Sequence, residues 1–403
     1  MFERLAKRFF RGAGFMARLP NGRLVAVGEA TPEDSPVVVA IADRVTLMRL
    51  LRDPRLGLGE AHMEGTLVFE RGTLWDLMEL IGRNVALRPR RKPSLMSELA
   101  RRWRNSLDQA NPRAAAQRNV AHHYDLSLEL YRLFLDEDLQ YSCAYFPTAD
   151  MTLEEAQKAK KRHIMAKLLL EPGQSVLDIG CGWGGMALSL AEAGVQATGV
   201  TLSEQQLATA RERAVKRGLS NSTRFELKDY RDLEGPYDRI VSIGMFEHVG
   251  AAHYDEFFAA CRNLLAEDGV MLLHTIGKYG KASAPDPFTD KWIFPGYHLP
   301  SISQLSAASE RQRLITSDLE LLRVHYAYTL RHWLERARAN RDKIVALHDE
   351  RFFRMWEFYL SGGVVAFESG SMCNFQAQYI RDRNALPITR DYMAEAEGRY
   401  RAS

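Results

Sequence analysis

The sequence of 403 residues has few cysteines, no long apolar run and little net charge. Its four cysteines lack the paired spacing of a disulfide framework or a zinc site, which favours a reducing, cytoplasmic environment. The pair Phe9-Phe10 is followed by Arg11-Gly12 instead of an apolar core, so we expect no signal peptide. We also expect no transmembrane segment. A formal net charge of +3 argues against a nucleic-acid footprint over the whole molecule. These absences leave a globular protein that is long enough for two domains.

The stretch from Val176 to Gly185, with the sequence VLDIGCGWGG, is the strongest motif in the chain. A short apolar run over Ser175–Ile179 predicts a buried parallel strand, and Met186–Ala191 predicts the helix that follows it. Between them stand three glycines in Gly-x-Gly-x-x-Gly spacing: Gly180, Gly182 and Gly185. Glycines allow a sharp turn and a close approach of the backbone to a ligand, and the helix N-terminus supplies free N–H groups. The motif therefore predicts a binding site for a nucleotide-containing cofactor.

Two features of this motif favour one cofactor over the others. Asp178 lies just before the glycines, where a carboxylate suits a cationic or amine-bearing ligand better than a pyrophosphate. The next strand ends in Thr201-Leu-Ser203, without the acidic residue that binds the ribose of a dinucleotide. S-adenosylmethionine carries a sulfonium and an ammonium and has no phosphate, so it fits both features. A dinucleotide site and a purely structural glycine turn are the alternatives.

Strand-like and helix-like segments alternate between residues 175 and 276. The predicted strands are Ser175–Ile179, Gln196–Val200, Thr223–Leu227, Asp238–Ile243 and Val270–Ile276. The alternation predicts an α/β fold with a doubly wound, mostly parallel sheet of the Rossmann-like type. Ligands of such sheets bind at the carboxyl ends of the strands. The polar residues of this region fall at those ends: Gly180–Gly185, Thr201–Gln206, Asp229–Tyr230, Met245–His248 and His274–Ile276.

The first 118 residues predict two other regions. Residues 1–90 indicate a small α+β domain, with predicted strands, helices and one turn at Leu24–Val27, Val37–Ile41, Val45–Leu51, Gly57–Gly65 and Thr73–Asn84. Residues 91–118 predict a basic linker, and residues 119–403 a third region that contains the glycine motif. The basic and aromatic segment Met1–Leu19 could lie on an anionic membrane or be an ordinary terminus. Likewise, the arginines near Arg101 could meet lipid phosphates or form a solvated face.

Aromatic side chains are frequent in the C-terminal third. Ser283–Pro300 predicts a long functional loop, and residues 318–368 predict a strand followed by long helices. Those helices carry Tyr326, Trp333, Phe352, Phe353, Trp356, Phe358 and Tyr359. Aromatic residues at helical spacing are typical of a core, and an apolar groove for a substrate chain is the alternative. The pair His122-His123 has no third ligand at metal spacing, which argues against a metal site.

Taken together, the motifs resemble those of the cyclopropane-fatty-acyl-phospholipid synthases and the mycolic acid cyclopropane synthases. The shared signatures are His123-Tyr-Asp125, Tyr141-Ser-Cys-Ala-Tyr-Phe146, the glycine motif, Gly199-Val-Thr-Leu-Ser203, Asp229-Tyr-Arg-Asp232, Gly244-Met-Phe-Glu-His-Val249, Leu272-Leu-His-Thr-Ile-Gly277, Ile293-Phe-Pro295 and Leu299-Pro-Ser301. They occur in order from about residue 120 onward. Gly59–Gly65 resembles, more loosely, the N-terminal domain of the bacterial phospholipid enzymes.

The resemblance implies a methyltransferase that uses S-adenosylmethionine to convert a cis double bond of a phospholipid acyl chain into a cyclopropane ring. A bound bicarbonate is the base in this family, because a strong protein base beside a sulfonium would risk being methylated. The motif positions imply that bicarbonate is held by Cys143, Glu247, His274, the backbone of Ile276, and Tyr326. Each has an ordinary alternative as a buried thiol, a helix cap or a packed side chain.

The resemblance also assigns residues to the cofactor. They are Tyr141, Ser142, Asp178, Gly180, Cys181, Gly182, Trp183, Thr201, Leu202, Gln206, Asp229 and Tyr230. For Asp229 and Tyr230, a turn residue and a packing tyrosine are close alternatives. Gly363 stands where many relatives have a cysteine that was once taken as the nucleophile. Either this cysteine is dispensable, which we favour because bicarbonate is the implied base, or the protein carries out altered chemistry.

The implied substrate places the protein at a membrane surface. A protein without a transmembrane segment must dock peripherally at the inner face of the cell membrane, and we expect the basic segments to serve that purpose, with a homodimer as a compatible state. Three other functions stay open. They are a related methyltransferase that leaves a methyl-branched or methylidene chain, a non-catalytic lipid-binding protein, and a methyltransferase of small soluble molecules.

Overall fold

The computed structural model describes residue 10 and residues 14–31, 33–86, 127–280 and 284–402. Most of the predicted N-terminal membrane segment, the basic linker 91–118 and the motif His123-Tyr-Asp125 lie outside the described residues. The interpretations given to those segments therefore stay predictions.

The chain divides into two compact units, each built from more than one stretch of sequence. The first unit consists of the described parts of Met1–Arg102, Pro285–Pro295 and Ala327–Met372. The second unit consists of the described parts of Trp103–Ala284, Gly296–Tyr326 and Cys373–Ser403. This division differs from the domains predicted at 1–90, 91–118 and 119–403, because two late segments group with the N-terminal residues. Those predicted boundaries stay a prediction.

Each unit is organised around one β-sheet in the described part of the chain. The sheet of the first unit has four strands in the order β2-β1-β3-β4: β1 Phe15–Arg18, β2 Leu24–Val27, β3 Val38–Ile41 and β4 Leu67–Arg71. The other sheet has seven strands in the order β10-β11-β9-β8-β5-β6-β7: β5 Ser175–Ile179, β6 Gln196–Thr201, β7 Thr223–Leu227, β8 Tyr237–Ile243, β9 Leu265–Lys278, β10 Ile315–Leu322 and β11 Met372–Ile380.

The α-helices of the described residues are, in chain order, α1 Arg44–Arg52, α2 Pro54–Met63, α3 Leu74–Ala86, α4 Leu128–Arg132, α5 Leu153–Leu168, α6 Gly185–Glu192, α7 Glu204–Lys216, α8 Tyr254–Leu264, α9 Pro287–Trp292, α10 Ile302–Arg311, α11 His325–Ala339, α12 Arg341–Leu347, α13 Glu350–Glu368 and α14 Asp391–Ala402. Short 3-10 turns cover Tyr230–Asp232, Phe246–His248 and Ala251–His253.

The sheet of the second unit is covered by apolar side chains on both faces. Successive residues of β5 alternate between two buried clusters, since Leu177 belongs to one and Val176 to the other. Ile240 and Val241 of β8 divide in the same way. Strands β8, β5, β6 and β7 pair in parallel, as expected for a sheet that is buried on both faces. The predicted α/β fold with a mostly parallel sheet is confirmed.

Helix α2 contradicts the predicted turn over Gly57–Gly65. The Asp53 side chain caps the helix by accepting from the backbone N–H groups of Arg55 and Leu56. The glycines are needed for packing, because a Cβ at Gly57 would lie 2.9 Å from the Arg49 carbonyl oxygen, and one at Gly59 would lie 2.2 Å from the Phe288 ring. Close packing against neighbouring elements, not a change of chain direction, explains these glycines.

The region Ser283–Pro300 also differs from its prediction as an uninterrupted loop. It contains α9, whose first turn is capped by the Asp286 side chain accepting from the N–H groups of Phe288 and Thr289. Pro287 at the first helical position favours this start, because its missing N–H would have no partner there in any case.

We expect Gly59→Ala to destabilise the protein, because the added methyl group would press on the buried Phe288 ring. Overpacking of this kind costs about 1–3 kcal/mol in the free energy of unfolding. Gly362→Ala is the matched control, since Gly362 also lies in a helix of the first unit and a Cβ there meets nothing within 4 Å. The control should raise the free energy of unfolding by up to about 1 kcal/mol. Chemical denaturation of both variants measures the difference, and equal stabilities would contradict the packing interpretation.

Candidate active site

A cavity of about 170 Å³ lies in the second unit at the carboxyl ends of β5, β6, β7 and β8. Every residue that the sequence analysis assigned to the cofactor lines it: Tyr141, Ser142, Asp178, Gly180, Cys181, Gly182, Trp183, Thr201, Leu202, Gln206, Asp229 and Tyr230. Most of these residues lie at or shortly after the ends of β5, β6 and β7, which the parallel topology brings to one edge, while Tyr141 and Ser142 come from the segment between α4 and α5. That each of them contacts a cofactor stays a prediction.

The glycines of the motif have different geometric roles. Gly180 and Gly182 have φ angles of +81° and +54°, a region of backbone conformation that favours glycine. A Cβ at Gly182 would meet nothing within 4 Å, whereas a Cβ at Gly180 would lie 2.9 Å from the Cβ of Met245. At Gly185 it would lie 2.1 Å from the side-chain nitrogen of Gln140. Gly182 therefore leaves open space on the cavity side, and the other two allow close packing.

The Asp178 carboxyl group is buried at the end of β5 and faces this cavity. Its Oδ2 has no hydrogen-bond partner among the described residues. Burial raises the pKa of Asp178 to about 7, although the hydrogen bond from the Ala187 backbone N–H and the charge of Lys160 both act to lower it. A buried carboxyl oxygen without a partner is costly, and a cationic group in the cavity would relieve that cost.

The residues that follow β6 and β7 have partners of their own. The Thr201 hydroxyl donates to Oε1 of Gln206 at 2.8 Å, which fixes the amide of Gln206 at the cavity wall. The Asp229 carboxylate accepts from the Arg231 side chain, with Oδ2 and Nη2 2.6 Å apart, and it also accepts from the backbone N–H of Arg231. The turn role considered for Asp229 is therefore present in the structure. The sequence analysis missed Arg231, which also lines the cavity.

Two residues predicted to hold bicarbonate are joined directly. Glu247 lies in the turn that follows β8, and its Oε1 accepts from the backbone N–H of Ile276 at 2.6 Å. Its Oε2 has no hydrogen-bond partner among the described residues, although the side chain is only 6% exposed. Burial raises the pKa of Glu247 to about 7, although the hydrogen bond from the Ile276 backbone N–H acts to lower it. The Ile276 N–H is thus engaged with Glu247, which differs from the predicted contact with bicarbonate.

His274 is buried on β9 and has amide groups at both of its ring nitrogens. Nδ1 lies 3.1 Å from the side-chain nitrogen of Gln376, and Nε2 lies 2.9 Å from that of Asn374. Burial, with the charges of Lys160, Lys167 and other nearby groups, holds the pKa of His274 well below its usual value. The ring is therefore neutral. For the predicted contact with bicarbonate, one ring nitrogen of His274 would have to give up its hydrogen bond to the Asn374 or Gln376 amide.

Cys143 and Tyr326 complete the predicted set. Cys143 is 1% exposed and its thiol donates to the carbonyl oxygen of Ala144, while Tyr326 is 7% exposed in the first turn of α11. None of the residues that hold bicarbonate in this prediction is among the described residues that line the cavity. The structure joins Glu247 to Ile276 and places His274 on the same strand as Ile276. The contribution of Cys143 and Tyr326 to a common site stays a prediction.

The sequence analysis missed a buried cation beside the cavity. The Lys160 ammonium on α5 donates to Oε1 of Gln140 at 2.6 Å and to the hydroxyl of Ser142 at 2.9 Å. Burial lowers the pKa of Lys160 to about 8, although the negative charge of the Asp136 carboxylate acts to raise it. A signal was present, because Lys160, His163 and Lys167 recur at helical spacing along α5. This lysine fixes the segment that carries Ser142 at the cavity wall.

Gly363 lies in α13 of the first unit. A Cβ at this position would lie 3.1 Å from Cδ1 of Leu330, so a larger side chain would press on that leucine. Glycine at this position therefore leaves no empty space that a cysteine side chain would fill.

Comparisons with known proteins agree with the sequence motifs. The family model described as mycolic acid cyclopropane synthetase matches residues 111–377. The chain is 36% identical over 382 residues to the cyclopropane-fatty-acyl-phospholipid synthase of Escherichia coli (strain K12), covering 93% of this chain and 96% of that protein. It is 40% identical over 266 residues to cyclopropane mycolic acid synthase 1 of Mycobacterium tuberculosis (strain H37Rv), covering 62% of this chain and 93% of that protein.

A solved structure of the same kind is similar in fold. The mycolic acid cyclopropane synthase CmaA1, in a complex with SAH and CTAB, superposes with a TM-score of 0.61 at 37% identity. The match covers 65% of this chain and 97% of that one. The resemblance found in the motifs is confirmed. Since both the family model and a near-full-length relative match, the chain belongs to the mycolic acid cyclopropane synthetase family of S-adenosylmethionine-dependent methyltransferases.

Proposed function

We propose that this enzyme transfers the methyl carbon of S-adenosylmethionine to the cis double bond of an unsaturated acyl chain in a membrane phospholipid, and closes a cyclopropane ring. The choice of a phospholipid rests on the extent of the matches. The Escherichia coli phospholipid enzyme covers 93% of this chain, while mycolic acid synthase 1 covers 62%. The additional matched length agrees better with the phospholipid enzyme than with the mycolic acid enzyme.

The observation that carries the cofactor assignment is the Asp178 oxygen without a partner, at the wall of a cavity formed by the glycine motif. The cavity suits S-adenosylmethionine because Asp178 can pair with the ammonium of the methionine portion, and Gly182 leaves room beside it. Gln206 and Thr201 offer neutral polar groups for the ribose. The related CmaA1 was solved with SAH bound, the product that remains after methyl transfer.

Among the residues predicted to hold bicarbonate, Glu247 has a buried oxygen, Oε2, that is available to hydrogen-bond a small oxyanion. When bound, bicarbonate would supply the base for the proton that is lost as the ring closes. Glu247 would hold it, because a carboxyl group with a pKa of about 7 can donate a hydrogen bond through its Oε2 when protonated. Ile276 supports Glu247 by donating to its Oε1.

Burial of these side chains suits the proposed chemistry. Cys143, Glu247 and His274 are 1%, 6% and 1% exposed. Attack of a double bond on the methyl group leaves a carbocation, which water would capture before the ring could close. A site that keeps water away from these residues favours loss of a proton over hydration.

The proposed substrate also requires contact with a membrane, and α1 of the first unit supports such contact. Among the described helices, none meets the length and hydropathy of a membrane span. The inner face of α1 packs into the core of the first unit through Leu47 and Leu50. Its outer face exposes Val45 and Met48, each 61% exposed. Exposed arginines lie on the same helix: Arg44, Arg49 and Arg52.

A helix that combines exposed apolar and basic side chains is suited to the interface of an anionic bilayer. Each basic residue near such a surface contributes about 1 kcal/mol. We therefore place peripheral docking on α1, while docking through the basic N-terminal segment and linker, and a homodimer, stay predictions. Docking would bring the enzyme to the bilayer that contains its acyl-chain substrate.

We expect Asp178→Asn to weaken S-adenosylmethionine binding about 10-fold or more, because the ammonium loses a charged partner. Binding to the wild type should tighten as the pH rises through about 7, where Asp178 becomes charged. Calorimetric titrations at several pH values measure both effects. In Asp229→Asn the pH dependence should persist, because the Asp229 carboxylate is already paired with Arg231. A pH dependence that survives in Asp178→Asn would remove Asp178 from this role.

Removal of bicarbonate should abolish most of the ring formation by the wild type. Glu247→Ala, which removes both the donor to bicarbonate and the partner of the Ile276 N–H, should lower kcat by about 10²–10⁴-fold, the range lost when a general base is no longer held in place, with little change in cofactor affinity. Transfer of a labelled methyl group to unsaturated phospholipid, followed by NMR of the product, tests both. Undiminished ring formation without bicarbonate would contradict the proposed base, and a methyl-branched or methylidene product would contradict ring closure.

Membrane docking through α1 has a matched control in the second unit. The double variant Val45→Glu, Met48→Glu should bind anionic phospholipid vesicles at least about 10-fold more weakly, since it removes apolar insertion and adds repulsion. Val215→Glu should bind like the wild type, although Val215 is a helical residue with 69% exposure. Co-sedimentation at rising salt measures the binding. If neither salt nor the α1 variant alters it, α1 is not the docking surface.

A further inference from the structure

Strand β11 carries a row of buried polar side chains that the chemistry above leaves unexplained. Its odd-numbered residues Phe375 and Ala377 belong to an apolar cluster. Three of its even-numbered residues point to the opposite face and are amides, each no more than 1% exposed: Asn374, Gln376 and Gln378. Buried amides are costly unless hydrogen-bonded, so each is expected to have specific partners. Two of them meet the ring of His274 on β9, which lies beside β11 in the sheet.

The orientation of the Gln376 amide is determined by a lysine. The Lys167 ammonium of α5 lies 2.7 Å from Oε1 of Gln376. An ammonium has only donors, so it must face the carbonyl oxygen, and the amide cannot turn around. The NH₂ group of Gln376 therefore points to Nδ1 of His274, at 3.1 Å. Because that NH₂ group donates, Nδ1 must accept and carries no proton.

Lys167 is itself held in place by charged groups. Its ammonium pairs with Glu320 at 2.5 Å, and Glu320 accepts from His163 at 2.7 Å. Although burial opposes it, the hydrogen bond from His163 and the charge of Lys167 lower the pKa of Glu320 to about 2. The carboxylate is therefore charged under all ordinary conditions. The lysine, and with it the Gln376 amide, keeps its orientation.

The remaining proton of the neutral His274 ring must then lie on Nε2. The Asn374 amide is placed 2.9 Å from that nitrogen. The two ends of an amide have nearly the same shape, so Asn374 can present its carbonyl oxygen to the Nε2–H by turning through 180°. No ammonium fixes Asn374 among its described contacts, in contrast to Gln376.

We propose that Lys167 and Gln376 are positioning residues of the active site, which hold His274 as the Nε2–H tautomer. The ring then offers one donor, at Nε2, to the Asn374 oxygen or to a small oxyanion that replaces it. The use of this donor by bicarbonate rests on the proposed function. The tautomer itself does not, because it follows from the contacts of Gln376.

The test compares wild type with Gln376→Glu. A carboxylate at position 376 can pair with Lys167 but can only accept from the ring, so it should move the proton from Nε2 to Nδ1. In protein with ¹⁵N-labelled histidine, the His274 signals, assigned by their loss in His274→Gln, should show a protonated Nε2 in wild type and a protonated Nδ1 in Gln376→Glu. A wild-type ring protonated on Nδ1, or the same tautomer in both proteins, would overturn the proposal.

Lys167→Met supplies a second variant, in which the Gln376 amide is free to turn and both tautomers should be present. Lys161→Met is its control, because Lys161 lies on the same helix and pairs with Asp138 at 2.7 Å, away from Gln376. The control loses a comparable ion pair and should keep the wild-type tautomer. A tautomer change in both lysine variants would indicate a general loss of structure and would overturn the specific role of Lys167.

Kinetics separate this proposal from the proposed function. Gln376→Glu should lower kcat about 10-fold or more with KM for the lipid nearly unchanged, and should raise the bicarbonate concentration that is needed. If the tautomer reverses but bicarbonate has no effect on any variant, the positioning role stands and the proposed base fails. If bicarbonate is required but the tautomer does not respond, the positioning role fails alone.

Discussion

The burial of carboxyl groups without complete hydrogen bonding is the constraint around which the second unit is arranged. Its sheet has apolar clusters on both faces, so the edge at the carboxyl ends of the strands is where polar side chains gather. Asp178 and Glu247 both lie there, and each has one oxygen without a partner among the described residues. Such groups cost free energy in the folded protein. Buried carboxyl groups with a pKa near neutrality are typical of binding and catalytic sites, which agrees with the roles proposed for Asp178 and Glu247.

Helix α5 supplies two buried cations to the same unit, Lys160 and Lys167. Lys160 reaches the wall of the cavity through Gln140 and Ser142, while Lys167 reaches the ring of His274 through Gln376. One helix is therefore linked both to the wall of the candidate cofactor cavity and, through Gln376, to His274 of the predicted bicarbonate site. The helix is fixed at its start by a capping box, in which Thr152 and Glu155 bond reciprocally to each other's backbone. Such fixation suits a helix whose buried cations must keep hydrogen-bonding distances to their partners.

Much of the fold could be predicted from local patterns. The bounds of β5 and β7 agree with the sequence analysis, and β6, β8 and β9 extend beyond their predicted ends. The turn predicted over Gly57–Gly65 was wrong because a glycine that is required by packing looks, in sequence, like a glycine that is required by a turn. Helix α9 was missed because its six residues are too few for a periodic pattern.

The candidate site was predictable where motifs carry it and not where partners come from distant segments. Most of the cofactor residues lie at strand ends, so sequence order places them at one edge, whereas Tyr141 and Ser142 reach the cavity from the segment before α5. In contrast, the engagement of Ile276 by Glu247, and of His274 by Gln376, depends on pairings across 29 and 102 residues of sequence. The alternation of Asn374, Gln376 and Gln378 with apolar residues was visible in the sequence. It indicates a two-faced strand, but it does not tell which ring or cation the amides meet.

The raised pKa of Asp178 has a thermodynamic consequence for the enzyme. A carboxyl group with a pKa of about 7 holds a proton in a sizeable fraction of molecules at neutral pH. Arrival of a fixed positive charge beside it expels that proton into the solvent. Cofactor uptake would then acidify an unbuffered solution, and its apparent heat would follow the ionisation enthalpy of whichever buffer accepts the hydrogen ion.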